Sequence, residues 1–186
     1  MKTVQRIEIF AAATLVLAGW SIVGTPAFAG RAFVRGAGGA AGGYASSGAW
    51  GARAGARALG PNRGAGIRGG TYNGPNGGDL QTGGAFGYSR GVGGFRKSGW
   101  SGTAANGASG SGYTKSQYNA QTGQGTRSSA EQVKTASGQD YGYTGNTTYT
   151  KGQGGQSVIQ TDNKGTYDVD WAKGEKPVVT PVPSSN

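Results

Sequence analysis

The sequence predicts a mostly disordered, glycine-rich N-terminal half, followed by a small all-β antiparallel meander of hairpins in the C-terminal half. Three observations lead to this expectation. The chain has 40 glycines in 186 residues, and glycine loses more backbone entropy on folding than any other residue. Aliphatic side chains are scarce, since Val, Leu, Ile and Phe together number 15 in residues 30–186. Tyrosine and threonine, which favour strands, are concentrated in the second half between turn-forming residues.

The first 29 residues have the layout of a secretory signal peptide. Lys2 and Arg6 precede an apolar run over residues 9–23, and an Ala-Phe-Ala motif ends at Ala29. This order of basic, apolar and small-residue regions predicts export, with cleavage after Ala29. The apolar run is shorter than the roughly 20 residues that cross a bilayer, which disfavours an uncleaved anchor. We expect no transmembrane helix in the mature chain and a location in the periplasm, at the outer surface or outside the cell.

Residues 30–98 form a predicted low-complexity basic arm. Its Gly/Ala runs, such as residues 36–43, keep neither a helical nor a strand period and are typical of flexible chain. Residues 30–97 carry nine basic side chains and the single acid Asp79, whereas residues 98–186 carry seven basic and six acidic side chains. One hairpin is expected within the arm, because the Gly-Pro-Asn-Gly-Gly sequence of residues 74–78 is a turn between strand-like residues.

Residues 99–172 form the predicted β-hairpin and meander region. A phrase of an aromatic, a hydroxyl and a basic residue recurs at residues 88–90, 113–115 and 149–151, at irregular spacing. The irregular spacing indicates a degenerate repeat rather than a regular solenoid.

The strongest expected hairpin lies near the end of this region. Residues 156–161 and 166–171 alternate as strands do, and Gly165 suits the left-handed position of the turn between them. In such a hairpin Tyr167 and Trp171 would share one face with Val169, while Asp168 and Asp170 would lie on the other.

Two further segments complete the prediction. Residues 128–136 remain open between helix and strand, because Ser-Ser-Ala-Glu at residues 128–131 is a capping-box pattern while Thr135 and Ser137 favour a strand. Residues 173–186 are expected to be an extended tail, since three prolines bar a helix there.

Histidine and cysteine are both absent. Their absence removes the usual general base, the usual zinc ligand and any Ser-His or Cys-His pair, so we expect no catalysis, no cofactor and no metal. The glycine-rich residues 91–98 are similar to a phosphate-binding loop, but Arg96 stands where that loop needs glycine. Asp168 and Asp170, alone or with Asp162, are expected on a solvated strand face rather than in a catalytic cleft or a calcium site.

The arm combines Arg-Gly phrases with interleaved aromatic residues, as disordered nucleic-acid-binding segments do. Guanidinium groups pair with phosphates, and aromatic rings stack on bases. For an exported chain the corresponding partner would be extracellular DNA, lipopolysaccharide or acidic polysaccharide. The residues expected to make this contact are Arg53, Arg57, Arg63, Arg68, Arg90, Arg96 and Lys97. The alternative is that these charges only keep a glycine-rich chain soluble.

The signal segment, the turn at residues 74–78 and the Tyr-Thr-Lys phrases at Tyr113 and Tyr149 resemble the uncharacterised exported Gly/Thr-rich repeat proteins of proteobacteria. The resemblance covers roughly residues 70–171 and implies an envelope or extracellular location and a repetitive β architecture. We consider two functions. The first is an exported structural or surface-interaction protein of the cell envelope or extracellular matrix, which contacts anionic polymers or the envelope surface. The second is a polyanion-binding protein that acts through the Arg/Gly arm. Unpaired strand edges allow self-association while the glycines and arginines oppose it, so the sequence leaves self-assembly open.

Overall fold

A computed structural model of the chain describes residues 28–183, except Ala37, Ala49 and Pro75. These residues form one antiparallel sheet in which each strand pairs with the next along the chain. The antiparallel meander that the sequence predicted is therefore confirmed. Its strands are β1 (Phe28–Gly36), β2 (Gly39–Gly48), β3 (Gly51–Leu59), β4 (Arg63–Asn73), β5 (Asp79–Ser89), β6 (Gly93–Thr103), β7 (Ser109–Asn119), β8 (Gln124–Lys134), β9 (Asp140–Thr150), β10 (Gly154–Thr161), β11 (Gly165–Ala172) and β12 (Val178–Val182).

The hairpin expected over residues 156–171 is formed by β10 and β11. Ile159 lies opposite Tyr167, and Thr161 lies opposite Gly165. Gly165 has a φ of 85°, the left-handed conformation that glycine adopts most readily. Because facing residues alternate along the pair, Asp168 and Asp170 leave the sheet on the face opposite Tyr167, as predicted.

The hairpin expected around residues 74–78 is formed by β4 and β5. Asn73 lies opposite Asp79, and the amide of Gly74 donates a hydrogen bond to the carbonyl of Gly78 at 2.6 Å. Pro75, on which part of that expectation rested, lies outside the described residues.

The segment that the sequence left open, residues 128–136, is a strand as far as Lys134. It belongs to β8, which pairs with β7 on one side and β9 on the other. Two neighbouring strands satisfy its backbone along its whole length, and this outweighs the local capping-box signal.

The expectation of flexible chain over residues 30–98 is corrected by the structure. Strands β1 to β5 and half of β6 lie there with continuous pairing. In β3, alanines at 52, 54, 56 and 58 face one side, and Arg53 and Arg57 face the other. The two-residue period of a strand is present, but alanine alternates with arginine or glycine, and not large hydrophobic with polar side chains. The predicted signal segment lies almost wholly outside the described residues, and the expected cut after Ala29 falls at the start of β1.

Strands recur at regular intervals through the second part of the sheet. β4, β6, β8 and β10 begin 30 or 31 residues apart. The turns at one end of these strands are linked by backbone hydrogen bonds from one turn to the next. These bonds run from Arg90 N to Asn62 O (2.6 Å), Ala120 N to Val92 O (2.9 Å), Lys151 N to Gly123 O (2.8 Å) and Lys173 N to Gln153 O (2.6 Å). The turns therefore extend the sheet's hydrogen bonding beyond the strands.

No hydrophobic side chain is fully buried within the part of the chain that the structure describes. The buried residues are glycines of the sheet, Gly55, Gly66, Gly125 and Gly145. Strands β1 and β12 form the two edges, and β12 contains Pro181, a residue that edge strands tolerate. No helix in the described residues has the length and apolarity that crossing a membrane requires.

Candidate functional site

The register of the sheet separates the charged side chains onto two faces. Residues directly opposite each other in an antiparallel pair share a face, and side chains alternate along each strand. One face, called here the arginine face, bears Arg31, Arg35, Arg53, Arg57, Arg68, Arg96 and Arg127. The other, called the lysine face, bears Arg63, Lys97, Lys115 and Lys134, together with Asp79, Asp140, Asp168 and Asp170.

The two faces differ in net charge. Among strand residues the arginine face carries seven arginines and the single acid Glu131, a formal +6. The lysine face carries four basic and four acidic side chains and is formally neutral. A face with one sign of charge attracts counter-ions of the other sign. The sheet's excess positive charge is therefore directed to one side.

The residues predicted to contact a polyanion do not all lie together. Arg53, Arg57, Arg68 and Arg96 lie on the arginine face. Arg63 and Lys97 lie on the lysine face, and Arg90 lies in the turn between β5 and β6.

Sequence reasoning left Arg31, Arg35 and Arg127 out of the predicted contact set. The alternation of side chains along β3 could have revealed the shared face. Arg53 and Arg57 are four residues apart, and alanines occupy the alternate positions between and around them.

A cleft of about 1010 Å³ lies over β1 to β6 and is lined by five exposed arginines of the arginine face. These are Arg31, Arg53, Arg57, Arg68 and Arg96, and the lining also includes Lys97 and the aromatic residues Phe33, Tyr44 and Phe86. Among the described residues, no aspartate or glutamate lines this cleft. The cleft therefore offers cationic and aromatic groups to a ligand at the same place.

Small neighbours leave the arginine side chains accessible. Arg57 lies between Gly42 and Gly66 on the adjoining strands. Arg68 lies between Gly55 and Gly84, and its Nε is 3.6 Å from the point where a Cβ of Gly84 would lie. At Gly84, the absence of a side chain therefore gives the Arg68 side chain room to lie across the adjoining strand.

Arg53 is oriented by a hydrogen-bond partner. Its Nε donates a hydrogen bond to Ser46 Oγ at 3.3 Å. An uncharged hydroxyl can orient a guanidinium without neutralising it, so the cationic charge of Arg53 remains available to an anion.

Aromatic side chains are also segregated. The described strands place Phe33, Tyr44, Tyr72, Phe86, Tyr88, Trp100, Tyr118, Tyr141, Tyr143, Tyr149, Tyr167 and Trp171 on the arginine face. Phe95 and Tyr113 lie on the lysine face. The arginine face is thus both the basic and the aromatic side of the sheet.

Four of these side chains form a line across the sheet, called here the aromatic row. Tyr88, Tyr118, Tyr149 and Trp171 lie on β5, β7, β9 and β11, and Gly94, Gly125 and Gly155 lie between them on β6, β8 and β10. The irregular phrase seen in the sequence used Tyr113, but the structural equivalent of Tyr88 and Tyr149 is Tyr118. With Tyr113 in place of Tyr118, the nearly even spacing of the tyrosines along the chain is not visible in the sequence.

The rings of the aromatic row cover glycines. A Cβ on Gly64 would lie 2.5 Å from Tyr88 Cε1, and one on Gly155 would lie 2.6 Å from Trp171 Cζ2. The Tyr88 hydroxyl donates a hydrogen bond to the carbonyl of Gly60 at 3.1 Å, which extends the ring along the sheet surface. Rings that cover strand glycines in this way stabilise the glycines and leave a broad aromatic surface on the arginine face.

The acidic residues and the second hollow of the sheet offer fewer binding groups to a ligand than the arginine face does. The described residues contain no group of three or more acidic side chains that could hold a metal ion. A larger hollow of about 1290 Å³ is lined by Val34, Ala41, Ala58, Ala65 and Phe95 of the lysine face and also by Tyr88 and Tyr118 of the aromatic row. Arg63 is the one charged side chain among the described residues that line it. The arginine face is therefore the candidate site.

Comparison with protein-family models, with curated proteins and with solved structures finds no match for this chain. The described residues form a single antiparallel sheet with one basic and aromatic face.

Proposed function

We propose that this chain is an exported, non-catalytic surface-interaction protein of the bacterial envelope or extracellular matrix that binds an anionic polymer through its arginine face. The observation that carries the proposal is the segregation of charge, with a formal +6 on one face of the sheet and none on the other. Arginines that only kept the chain soluble would have no reason to share a face.

The chemistry of the arginine face suits a polymer with repeated anionic groups. A guanidinium donates paired hydrogen bonds to a carboxylate, sulfate or phosphate. Each anionic group that is neutralised releases counterions, so binding weakens as salt is added. Five arginines line the cleft, and no described acidic residue does. Their attractions for a single polyanion chain therefore add together.

Export is supported by the signal layout of residues 1–29, with Lys2 and Arg6 before the apolar run. Cleavage after Ala29 would leave Gly30–Gly36 of β1, and with it Arg31 and Arg35, in the mature chain. The proposed binding face would therefore survive processing.

Two double variants of the mature chain test the proposal. Arg57→Gln with Arg96→Gln removes two charges from the arginine face, and Arg63→Gln with Lys115→Gln removes two charges from the lysine face. Neither Arg63 nor Lys115 lines the cleft, and the two variants remove the same charge. The measurement is the affinity for heparin, a highly sulfated probe, between about 50 and 200 mM salt.

The arginine-face variant is expected to bind about a hundredfold more weakly with a shallower salt dependence, because each of the two lost charged hydrogen bonds contributes about 1.5 kcal/mol, or about tenfold. The lysine-face variant is expected to stay within about twofold of the parent chain, since only long-range charge is lost. Equal losses in the two variants, or a parent chain with no salt-sensitive retention, would contradict the proposal. Circular dichroism of each variant controls for folding.

A further inference from the structure

We propose that Tyr118 and Tyr149 form an oxidative cross-link site, at which a peroxide, used by a haem peroxidase, joins the two phenol rings by a carbon–carbon bond. The product is a dityrosine within one chain. This modification is independent of the proposed binding of an anionic polymer. The proposal is carried by the stacking of the two rings across the strand that holds Gly125.

The two rings lie beside each other although their strands are not neighbours. Tyr118 on β7 and Tyr149 on β9 are both directly opposite Gly125 of β8. Two strands separate their α-carbons by about 9.6 Å, yet the ring centroids are 6.4 Å apart and the ring planes are 8° from parallel. A Cβ at Gly125 would collide with the Tyr149 ring. The glycine therefore lets the two phenol rings come within the range at which aromatic pairs interact.

This pair is distinguished from the other tyrosines of the chain. The chain has nine tyrosines, and within the part that the structure describes Tyr118 and Tyr149 are the one pair of aromatic rings that stack. Both side chains are partly exposed on the arginine face, so solvent and small oxidants reach them. An oxidant that attacks tyrosines without selection therefore finds two phenols already paired at this place.

The reaction needs two phenols whose rings can meet at their edges. The oxidant removes one hydrogen atom from each hydroxyl, and each phenoxyl radical shares its unpaired electron with the ring carbons beside the hydroxyl-bearing carbon. A bond between one such carbon of Tyr118 and one of Tyr149 pairs the two electrons. The hydrogen on each bonded carbon then moves to the oxygen of its own ring. In total the protein loses two hydrogen atoms, and one hydrogen peroxide is reduced to two molecules of water.

The new bond would connect β7 to β9 across β8. Tyr118 and Tyr149 are 31 residues apart, so the bond closes a loop that contains the whole of β8. A covalent loop stabilises a fold mainly by restricting the unfolded chain, as a disulfide does. The chain has no cysteine to form a disulfide, and no hydrophobic side chain is fully buried among the described residues. Oxidation would therefore add covalent stability to a sheet held mainly by backbone hydrogen bonds.

The test exposes the parent chain to hydrogen peroxide and a haem peroxidase at low protein concentration, which favours reaction within one chain. The monomer is expected to lose the mass of two hydrogen atoms and to gain dityrosine fluorescence, and peptide mapping is expected to find Tyr118 joined to Tyr149. Tyr118→Phe and Tyr149→Phe each keep a ring but lose a phenol, and each is expected to abolish this monomeric product. Tyr113→Phe removes a phenol of β7 from the lysine face and is expected to leave the yield unchanged.

A second measurement follows the effect of the bond on stability. The urea midpoint of the oxidised parent monomer is expected to rise, and that of Tyr118→Phe to stay where it is after the same treatment. Circular dichroism before oxidation shows whether the phenylalanine variants keep the sheet. A parent monomer that keeps its mass, a monomer linked mainly through other tyrosines, or cross-links found only in covalent dimers would overturn the proposal. None of these results bears on heparin binding by the arginine face, which its own variants test.

Discussion

The ring of Tyr149 lies over the α-carbon of Gly125, in the space that any larger side chain at residue 125 would occupy. Gly125 is one of the buried glycines of the sheet, and the parallel ring of Tyr118 lies on its other side. Gly66 is covered in the same manner by Phe86, and Gly55 by Tyr44. In a sheet without a buried hydrophobic side chain among its described residues, these contacts are where apolar surface is removed from water.

Gly125→Val is expected to destabilise the sheet by about 1–3 kcal/mol, because the new side chain displaces the Tyr149 ring in the way that overpacking displaces core side chains. Urea unfolding followed by circular dichroism measures the change. Gly83→Val is the matched control, since a Cβ at Gly83 meets nothing within 4 Å. Valine favours strands, so the control is expected to be neutral or slightly stabilising. A control that loses as much stability as Gly125→Val would contradict the assigned contact.

Tyr118 and Tyr149 are expected to stabilise the fold as a pair. A double-mutant cycle with Tyr118→Ala and Tyr149→Ala is expected to give a coupling free energy of about 0.5–1.5 kcal/mol, as aromatic pairs do. Tyr113→Ala with Tyr149→Ala supplies the reference cycle, because Tyr113 lies on the other face and is expected to show no coupling. Additive losses in both cycles would show that the rings do not interact in solution.

The turn between β6 and β7 depends on one backbone conformation. Gly107 has a φ of 83° and open space around its α-carbon, so a substitution there changes conformational energy without a clash. Gly107→Val is expected to cost about 1–2 kcal/mol, and Gly107→Asn clearly less, because asparagine tolerates the left-handed region. Chemical denaturation of the two variants makes the comparison. Equal stabilities would mean that the turn adopts another conformation.

Lys97 and Lys115 lie directly opposite each other on the lysine face. Like charges in that relation are destabilising, so Lys115→Glu is expected to raise the free energy of unfolding by about 0.2–1 kcal/mol. The gain is expected to shrink in high salt, where exposed charges are screened. A gain that did not depend on salt would indicate a cause other than the cross-strand charge pair.

The sequence was sufficient for the hairpin of β10 and β11 because Val158, Ile159 and Val169 supplied clear strand character and Gly165 marked the turn. It was misleading for β1 to β3, and for β4 and β5 away from their turn at residues 74–78. There the alternation is between arginine and alanine or glycine, residues that hydrophobicity scales do not contrast as core and surface. The ladder of backbone hydrogen bonds decides the conformation there, and pairing between strands is not visible in any one segment.

The predicted contact residues were right in type but incomplete in placement. Arg63 and Lys97 belong to the basic arm by composition. Each is the sequence neighbour of an arginine-face residue, Gly64 or Arg96, and therefore lies on the lysine face. Tyr118 was missed because Asn119 breaks the Tyr-Thr-Lys phrase, although its distance along the chain from Tyr88 and Tyr149 matches the spacing of the strands. Register, and not composition, is what selects the face.

The most direct test of the account is whether the register that gathers Arg53 and Arg57 onto one face exists in solution. The chain has no cysteine, so introduced pairs report contacts without interference. Ala41 lies opposite Ala58 on the lysine face, while Ala40 leaves β2 on the arginine face. Mild oxidation is expected to cross-link Ala41→Cys with Ala58→Cys rapidly and Ala40→Cys with Ala58→Cys slowly, since a disulfide needs converging Cβ positions. Equal rates for the two pairs, as a flexible chain would give, would contradict the ordered arginine face.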